Sequence, residues 1–328
     1  MLLFWIIIFI VSLAALVKGA DWLLVNAEKI GLSFGLSPFL IGVVIVGVGT
    51  SFPELISSSV AVFRGVTEVP IANAVGSNIA NILLIVGISA VIARKLVVTK
   101  NLIDLDLPLL SIGTVLLLGT IMDRQVTRGE AILLVVAYLI YLLHTILHKE
   151  EPDDIALLPS RKERRKHMKI VKEDPFEKPK IGFKEIFFLI LGIACLVIGA
   201  KYLIEAMINL STILNIATGV ITITAVAFGT SLPELMVSVK AAWQRKSDVA
   251  LGNIFGSNVF NALVVVGFPG LFKTLTVDEK TFLIGVPAMA LATLIFVISG
   301  ISRKIHIWEG LLYLVMYALF IVKLFGWF

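Results

Sequence analysis

The string Gly49-Thr50-Ser51-Phe52-Pro53-Glu54-Leu55 returns as Gly229-Thr230-Ser231-Leu232-Pro233-Glu234-Leu235, 180 residues further on. Each copy sets a glutamate inside a segment otherwise apolar enough to cross a bilayer. The same offset aligns Ala14, Leu16, Val17, Gly19, Ala20 and Leu23 with Ala194, Leu196, Val197, Gly199, Ala200 and Leu203. It also aligns Asn73, Gly76, Ser77, Asn78, Asn81 and Gly87 with Asn253, Gly256, Ser257, Asn258, Asn261 and Gly267. The chain is a tandem duplication, and whatever it folds into must accommodate two related halves.

Of its 328 residues 58% are hydrophobic and only 16% charged, more apolar surface than a soluble core can hide. Apolar runs of about 20 residues, each able to span roughly 30 Å of hydrocarbon, recur from end to end. Runs of that length predict helices rather than the short alternating strands of a barrel. The expectation is an all-α integral membrane protein with ten spans, at about 2–28, 36–64, 70–92, 102–121, 127–148, 182–209, 215–243, 248–272, 280–299 and 306–326. Residues 2–17 read as the first membrane helix and not as a signal sequence, because Lys18, Asp21 and Lys29 follow the apolar run instead of preceding it. The single Cys195 can form no internal disulfide. The net charge of +5 comes from basic residues gathered in loops beside the spans, which is no nucleic-acid signature.

Three segments follow: a first repeat at 1–148, a polar connector at 149–181 and a second repeat at 182–328. The connector carries Arg161-Lys162-Glu163-Arg164-Arg165-Lys166 and four prolines, and it lacks the spaced oxygen ligands of a calcium loop. Lys29, Arg94, Lys95, Lys100, the connector, Arg245, Lys246, Arg303 and Lys304 fall on one side of the membrane if the N-terminus is outside. Basic loops mark the cytoplasmic side, so both termini are expected outside and the connector inside. Five spans per repeat is an odd number, so the second copy enters from the opposite side. Inverted repeats with interrupted helices at matching positions predict a transporter that binds its substrate near the bilayer midplane.

Pro53 has no N–H, so the carbonyl of Gly49 loses its helical partner, and Gly47 and Gly49 weaken the same turn. Pro233 and Gly229 do the same in the other copy. Ser51 and Glu54 have the spacing of a capping box, which would explain the pattern without any ligand. It does not explain a glutamate kept twice at mid-membrane, where an acidic side chain costs roughly 2.5–3.5 kcal/mol on insertion scales. No Lys or Arg lies close in sequence to Glu54 or Glu234, so a bound cation is the simplest partner. Ser77 and Asn81, and likewise Ser257 and Asn261, stand at i and i+4 and share a helix face. One such pair alone would read as interhelical glue; repeated beside two buried carboxylates, it reads as ligation. Asn78 and Asn258 leave that face and are assigned to hydrogen bonding around the site. Asn73 and Asn253 are assigned to the start of the same helices. Glu54, Glu234, Thr50, Thr230, Ser51, Ser231, Ser77, Ser257, Asn81 and Asn261 offer oxygen only, which selects hard cations. Ca²⁺ takes six to eight oxygens in a forgiving geometry, Mg²⁺ resists losing its water, and the same hydroxyls can hold Na⁺.

These residues resemble the sodium/calcium exchanger family of the cation/calcium antiporter superfamily, in its prokaryotic form, whose two repeats carry G-T-S-x-P-E-L followed by G-S-N-x-x-N. The resemblance covers essentially the whole chain. It implies ten helices, alternating access, and Na⁺-driven Ca²⁺ movement with no cofactor and no enzymatic step, in a protein functional as a monomer in the cell membrane. It also implies that Glu54 and Glu234 are shared by Ca²⁺ and Na⁺, that backbone oxygens of Gly47 and Ala227 join the hydroxyls, and that spans one and six slide across the other eight. Some members carry Asp where this chain has Asn261; two neutral asparagines leave two acids in the core and argue against K⁺ dependence. Proton/calcium exchangers resemble G-N-A-x-E at the first motif, which is absent here. A proton-coupled exchanger, a cation channel and, more distantly, an intramembrane hydrolase remain the alternatives.

Overall fold

The computed structural model describes residues 2–97, 107–147, 182–213 and 231–326. The connector 149–181, the first half of the expected seventh span and the candidate ligands Ala227 and Thr230 lie outside the described residues.

The described chain is mostly helical: α1 (Leu2–Ser33), α2 (Pro38–Phe63), α3 (Val69–Ala93), α4 (Leu107–Thr120), α5 (Arg128–Leu147), α6 (Phe183–Ile213), α7 (Leu232–Trp243), α8 (Ser247–Gly270), α9 (Thr281–Ile301) and α10 (Ile307–Phe325). Among the described residues eight of these helices are long and apolar enough to cross a membrane; α4 is a shorter apolar helix. Apolar side chains cover them almost all round, as expected of helices facing lipid on one side and protein on the other. The first span runs on to Ser33 and the sixth to Ile213, several residues past the expected ends.

Glycines set two close helix crossings. A Cβ on Gly252 would stand 2.4 Å from the carbonyl oxygen of Phe39, and one on Gly256 2.4 Å from that of Val43, so α8 lies backbone against backbone on α2. Small residues permit such approach where lipid supplies no hydrophobic drive between helices. The α1–α6 crossing is built alike, on Gly19, Gly192 and Gly199. Around α8 the core is aromatic and aliphatic, with Phe255 between Phe39 and Phe296 at ring separations of 6.0 and 5.1 Å.

The fold is not purely helical. Four short strands, β1 (Lys95–Val97), β2 (Gln125–Val126), β3 (Leu275–Thr276) and β4 (Lys304–His306), form two antiparallel ladders, β1 with β4 and β2 with β3. Each ladder pins a fully buried pair, Leu96 opposite Ile305 and Val126 opposite Leu275. The connections between helices are thereby hydrogen-bonded to each other, which satisfies backbone groups beyond the helix ends. Arg94, Arg124 and Arg303 turn the chain into β1, β2 and β4 with φ of 63°, 63° and 62°. A run of three residues after a long apolar segment gives too little period-two pattern to be read from sequence.

Candidate functional site

The two motifs meet in the middle of the helical body. α2 is interrupted at Ser51, whose φ of −89° and ψ of 4° leave the helical region, and α7 starts after Ser231 at −87° and 7°. Pro53 and Pro233 occupy first-turn positions, where the missing N–H does least harm. The interruption in α2 is brief: the amide of Ser51 still donates to Gly47 O (3.2 Å) and that of Leu55 to Ser51 O (3.2 Å). Neither Ser51 nor Ser231 caps its helix through its side chain. This corrects the capping-box reading. The Ser51 hydroxyl instead donates across the repeats to Oε1 of Glu234 at 3.0 Å.

Next to that contact lies a nest of oxygens. Thr50 Oγ1 is 3.3 Å from Gly47 O, 3.1 Å from Asn253 Oδ1 and 3.4 Å from Ser257 Oγ, while the Ser257 hydroxyl donates to Gly47 O at 3.2 Å. Two of the four oxygens come from α2 and two from α8. The crossing at Gly252 and Gly256 is what brings them within reach.

Asn253 orders the wall of this nest. Its Nδ2 donates to the carbonyl of Glu234 (3.3 Å) and to Ser238 Oγ (2.8 Å), leaving Oδ1 to face Thr50. Asn73 repeats the arrangement, donating to the carbonyl of Glu54 (3.3 Å) and to Ser58 Oγ (3.0 Å). Each asparagine thus holds the first turn of the half-helix that carries a glutamate. Ser77 Oγ is 3.5 Å from Asn73 Oδ1, and Asn78 Nδ2 donates to Asn258 O at 3.1 Å, where α3 crosses α8.

Glu54, Ser51, Asn81, Ser257 and Asn261 are 0% exposed, Thr50 and Glu234 1%, Ser77 and Ser231 4%. Glu234 Oε2 and the side-chain amides of Asn81 and Asn261 make no hydrogen bond among the described residues. A buried polar atom left so costs about 1–3 kcal/mol, and a cation supplies what acceptor oxygens lack. The asparagines also lie in stretches where the helix widens to i→i+5 turns, Ala80–Val86 and Asn261–Val265, which turn successive carbonyls away from their regular partners. The groups gathered here are hydroxyl, amide, carbonyl and carboxylate oxygens, and among the described residues no group of three or more His, Cys, Asp or Glu is placed to hold a metal ion. An open cavity of about 420 Å³ touches this set, lined by Ser57, Asn73, Ser77 and Ser231 together with Tyr317 and Phe320 of α10.

A sequence profile of the sodium/calcium exchanger protein family matches residues 4–147 and 184–326. The chain belongs to the sodium/calcium exchanger family. It is 35% identical to the sodium/calcium exchanger MaX1 of Methanosarcina acetivorans, over 97% of this chain and 98% of that one. It is 32% identical to the inner membrane protein YrbG of Escherichia coli, over 88% and 86%. The solved sodium-calcium exchanger NCX_Mj, soaked with zero Na⁺ and Ca²⁺, superposes with a TM-score of 0.81 at 27% identity, covering 99% of this chain and 100% of that one. The protein is therefore a multi-pass membrane protein and a cation/calcium antiporter.

Within this exchanger the structure brings Gly47, Thr50 and Ser257 together and sets Ser51 on Glu234, the two groups being joined through Asn253. It buries Glu54, Ser77, Ser231, Asn81 and Asn261 in the same body. Thr230 and Ala227 lie outside the described residues. Sequence reasoning gave Asn73 and Asn253 too small a part and missed Ser58 and Ser238, both 0% exposed. The signal was present: each serine stands four residues after a motif glutamate, and the two are again 180 apart.

Proposed function

We propose that this exchanger moves Na⁺ against Ca²⁺ by alternating access, with Glu54 and Glu234 as the shared charges and Thr50, Thr230, Ser51, Ser231, Ser77, Ser257, Asn81, Asn261 and the carbonyls of Gly47 and Ala227 as neutral ligands. The observation that carries this reading is the contact of Ser51 with Glu234 beside the Thr50–Asn253–Ser257 nest, which joins the two motifs through oxygen alone. Ca²⁺ prefers such a set, and hydroxyls with carboxylates also suit Na⁺. Two carboxylates balanced by Ca²⁺ facing one side are balanced by Na⁺ facing the other, whereas the empty, doubly charged site crosses poorly. More than two Na⁺ per Ca²⁺ makes turnover electrogenic, at about 2.3 kcal/mol per charge per 100 mV, and drives Ca²⁺ out of the cell.

The same reading makes residues 1–148 and 182–328 two inverted five-helix repeats in a ten-helix body. Strand pairing supports it. Under the 180-residue offset β1 corresponds to β3 and β2 to β4, yet β1 pairs with β4 and β2 with β3. Leu107, at the start of α4, packs on Gly300 close to the β1–β4 ladder, whereas the far end of α4 leads into β2. The counterpart of β1 thus lies at the opposite end of α4, as inversion requires. Arg94, Arg245 and Arg303 then share the cytoplasmic end with the connector 149–181, and both termini are outside. The relative from Escherichia coli is named an inner membrane protein, and the same location is proposed here, with the monomer as the working unit.

The test is ⁴⁵Ca²⁺ uptake into proteoliposomes holding Na⁺, K⁺ or a proton gradient, with the voltage set by an ionophore. Uptake that requires internal Na⁺ and grows with inside-positive voltage bears the reading out. Uptake driven by a proton gradient without Na⁺ overturns the coupling, and unitary conductance without any opposing ion makes it a channel.

A further inference from the structure

α1 and α6 meet symmetrically. A Cβ on Gly19 would stand 2.8 Å from the oxygen of Gly192, and one on Gly199 would stand 3.1 Å from that of Ser12; under the 180-residue offset these are one contact seen twice. The surfaces that flank this pair are not symmetric. α1 lies over α7, where Val237 and Ala241 are fully buried in a cluster with Leu16, Ala20, Leu23 and Ala27. The equivalent half of α2 is uncovered: Ile56 is 58% exposed, Val60 42%, and Ser57 lines the open cavity.

Two ion pairs fasten α1 on the covered side. Lys240 Nζ is 2.8 Å from Asp21 Oδ1, and Lys246 pairs with Glu28. Lys29 is 3.7 Å from Glu185 of α6 and so ties the two crossing helices to each other. Exchanging the arrangements of two inverted repeats interconverts the end states of such a carrier. In the exchanged state Asp21 and Lys240 are replaced by Lys201 and Val60, and Glu28 and Lys246 by Ile208 and Val66. Neither of those combinations can form an ion pair.

We propose that Asp21–Lys240 and Glu28–Lys246 are a one-sided latch, present only while the cavity beside Ser57 is open and the α7 side is sealed. This rests on the alternating-access reading above. The latch holds the two end states at unequal populations, and apparent affinity scales with the fraction of the binding-competent state. The open side therefore binds its ion more tightly than the sealed side presents it, with no difference between the ligands.

Pulsed electron-electron double resonance decides it, with spin labels at Leu32→Cys on α1 and at Trp243→Cys, the last residue of α7, in a Cys195→Ser background, in nanodiscs. One dominant distance is expected for the parent. Asp21→Asn with Lys246→Gln shifts the ratio of populations about tenfold towards a second distance, roughly 1.4 kcal/mol at 25 °C. The exchanged pair Asp21→Lys with Lys240→Asp restores the parent, and Val60→Lys with Lys201→Asp, which builds the mirror latch, favours the second distance again. A distribution unmoved by removing the charges, or one not restored by exchanging them, overturns the latch. Failure of the antiport reading is a separate result: no Na⁺-dependent ⁴⁵Ca²⁺ flux in the parent, whatever the distances do.

Discussion

Replacing Gly256 by alanine changes no proposed ligand and should still disable the site. Its Cβ would lie 2.4 Å from the oxygen of Val43 and 2.8 Å from that residue's Cα, both backbone atoms that cannot swing aside. Ordinary contact begins near 3.4 Å, so α2 and α8 must part by about 1 Å. The Thr50–Asn253 and Ser257–Gly47 hydrogen bonds, at 3.1 and 3.2 Å, would then exceed bonding distance. Each contributes about 0.5–1.5 kcal/mol, so the pair is worth roughly 1–3 kcal/mol of preorganisation. That corresponds to Ca²⁺ binding about 5- to 150-fold weaker. Equilibrium ⁴⁵Ca²⁺ binding to the purified variant measures it directly. Gly113→Ala is the control, because its Cβ would meet only the Leu263 side chain at 3.7 Å. Binding by Gly256→Ala within twofold of the parent would show that the helix crossing does not set the ligand geometry.

Asn253→Ala removes the donor to Glu234 O and Ser238 and the acceptor facing Thr50; Ca²⁺ affinity measured by calorimetry should fall at least tenfold, about 1.4 kcal/mol. Gly19→Val forces a side chain against the Gly192 carbonyl, 2.8 Å from the new Cβ. Overpacking of that kind typically costs about 1–3 kcal/mol, so the thermal midpoint should drop while Gly119→Ala leaves it in place. Mg²⁺ at ten times the Ca²⁺ concentration should displace little ⁴⁵Ca²⁺, because it gives up its water shell reluctantly and this set is all protein oxygen.

The helical spans, the duplicated motif and the cation/calcium-antiporter class were legible because each depends on local pattern: apolar run length, a fixed offset, and residue type. What was not legible depends on how elements pack. Ser51 has the sequence spacing of an N-cap, but its hydroxyl turns to Glu234 once α7 lies against it. Asn253 reads as the beginning of a helix until α2 brings Thr50 alongside. The widened turns at Asn81 and Asn261 leave no mark on apolar periodicity, since Ala, Ile, Leu and Val fill them. The strand ladders hide for a different reason: each strand is two or three residues long, and its partner comes from the other half of the chain. The latch shows the reverse case, for the 180-residue offset that reveals the symmetry also reveals where Val60 and Val66 break it.

The most direct measurement is equilibrium ⁴⁵Ca²⁺ binding to the purified protein as Na⁺ is raised, in the parent and in Glu54→Gln and Glu234→Gln. Shared carboxylates predict that Na⁺ expels Ca²⁺ with a Hill slope above one, and that either glutamine variant loses both the binding and the competition. Ca²⁺ bound undisturbed at saturating Na⁺, or variants that bind like the parent, would contradict a common site held by these two glutamates.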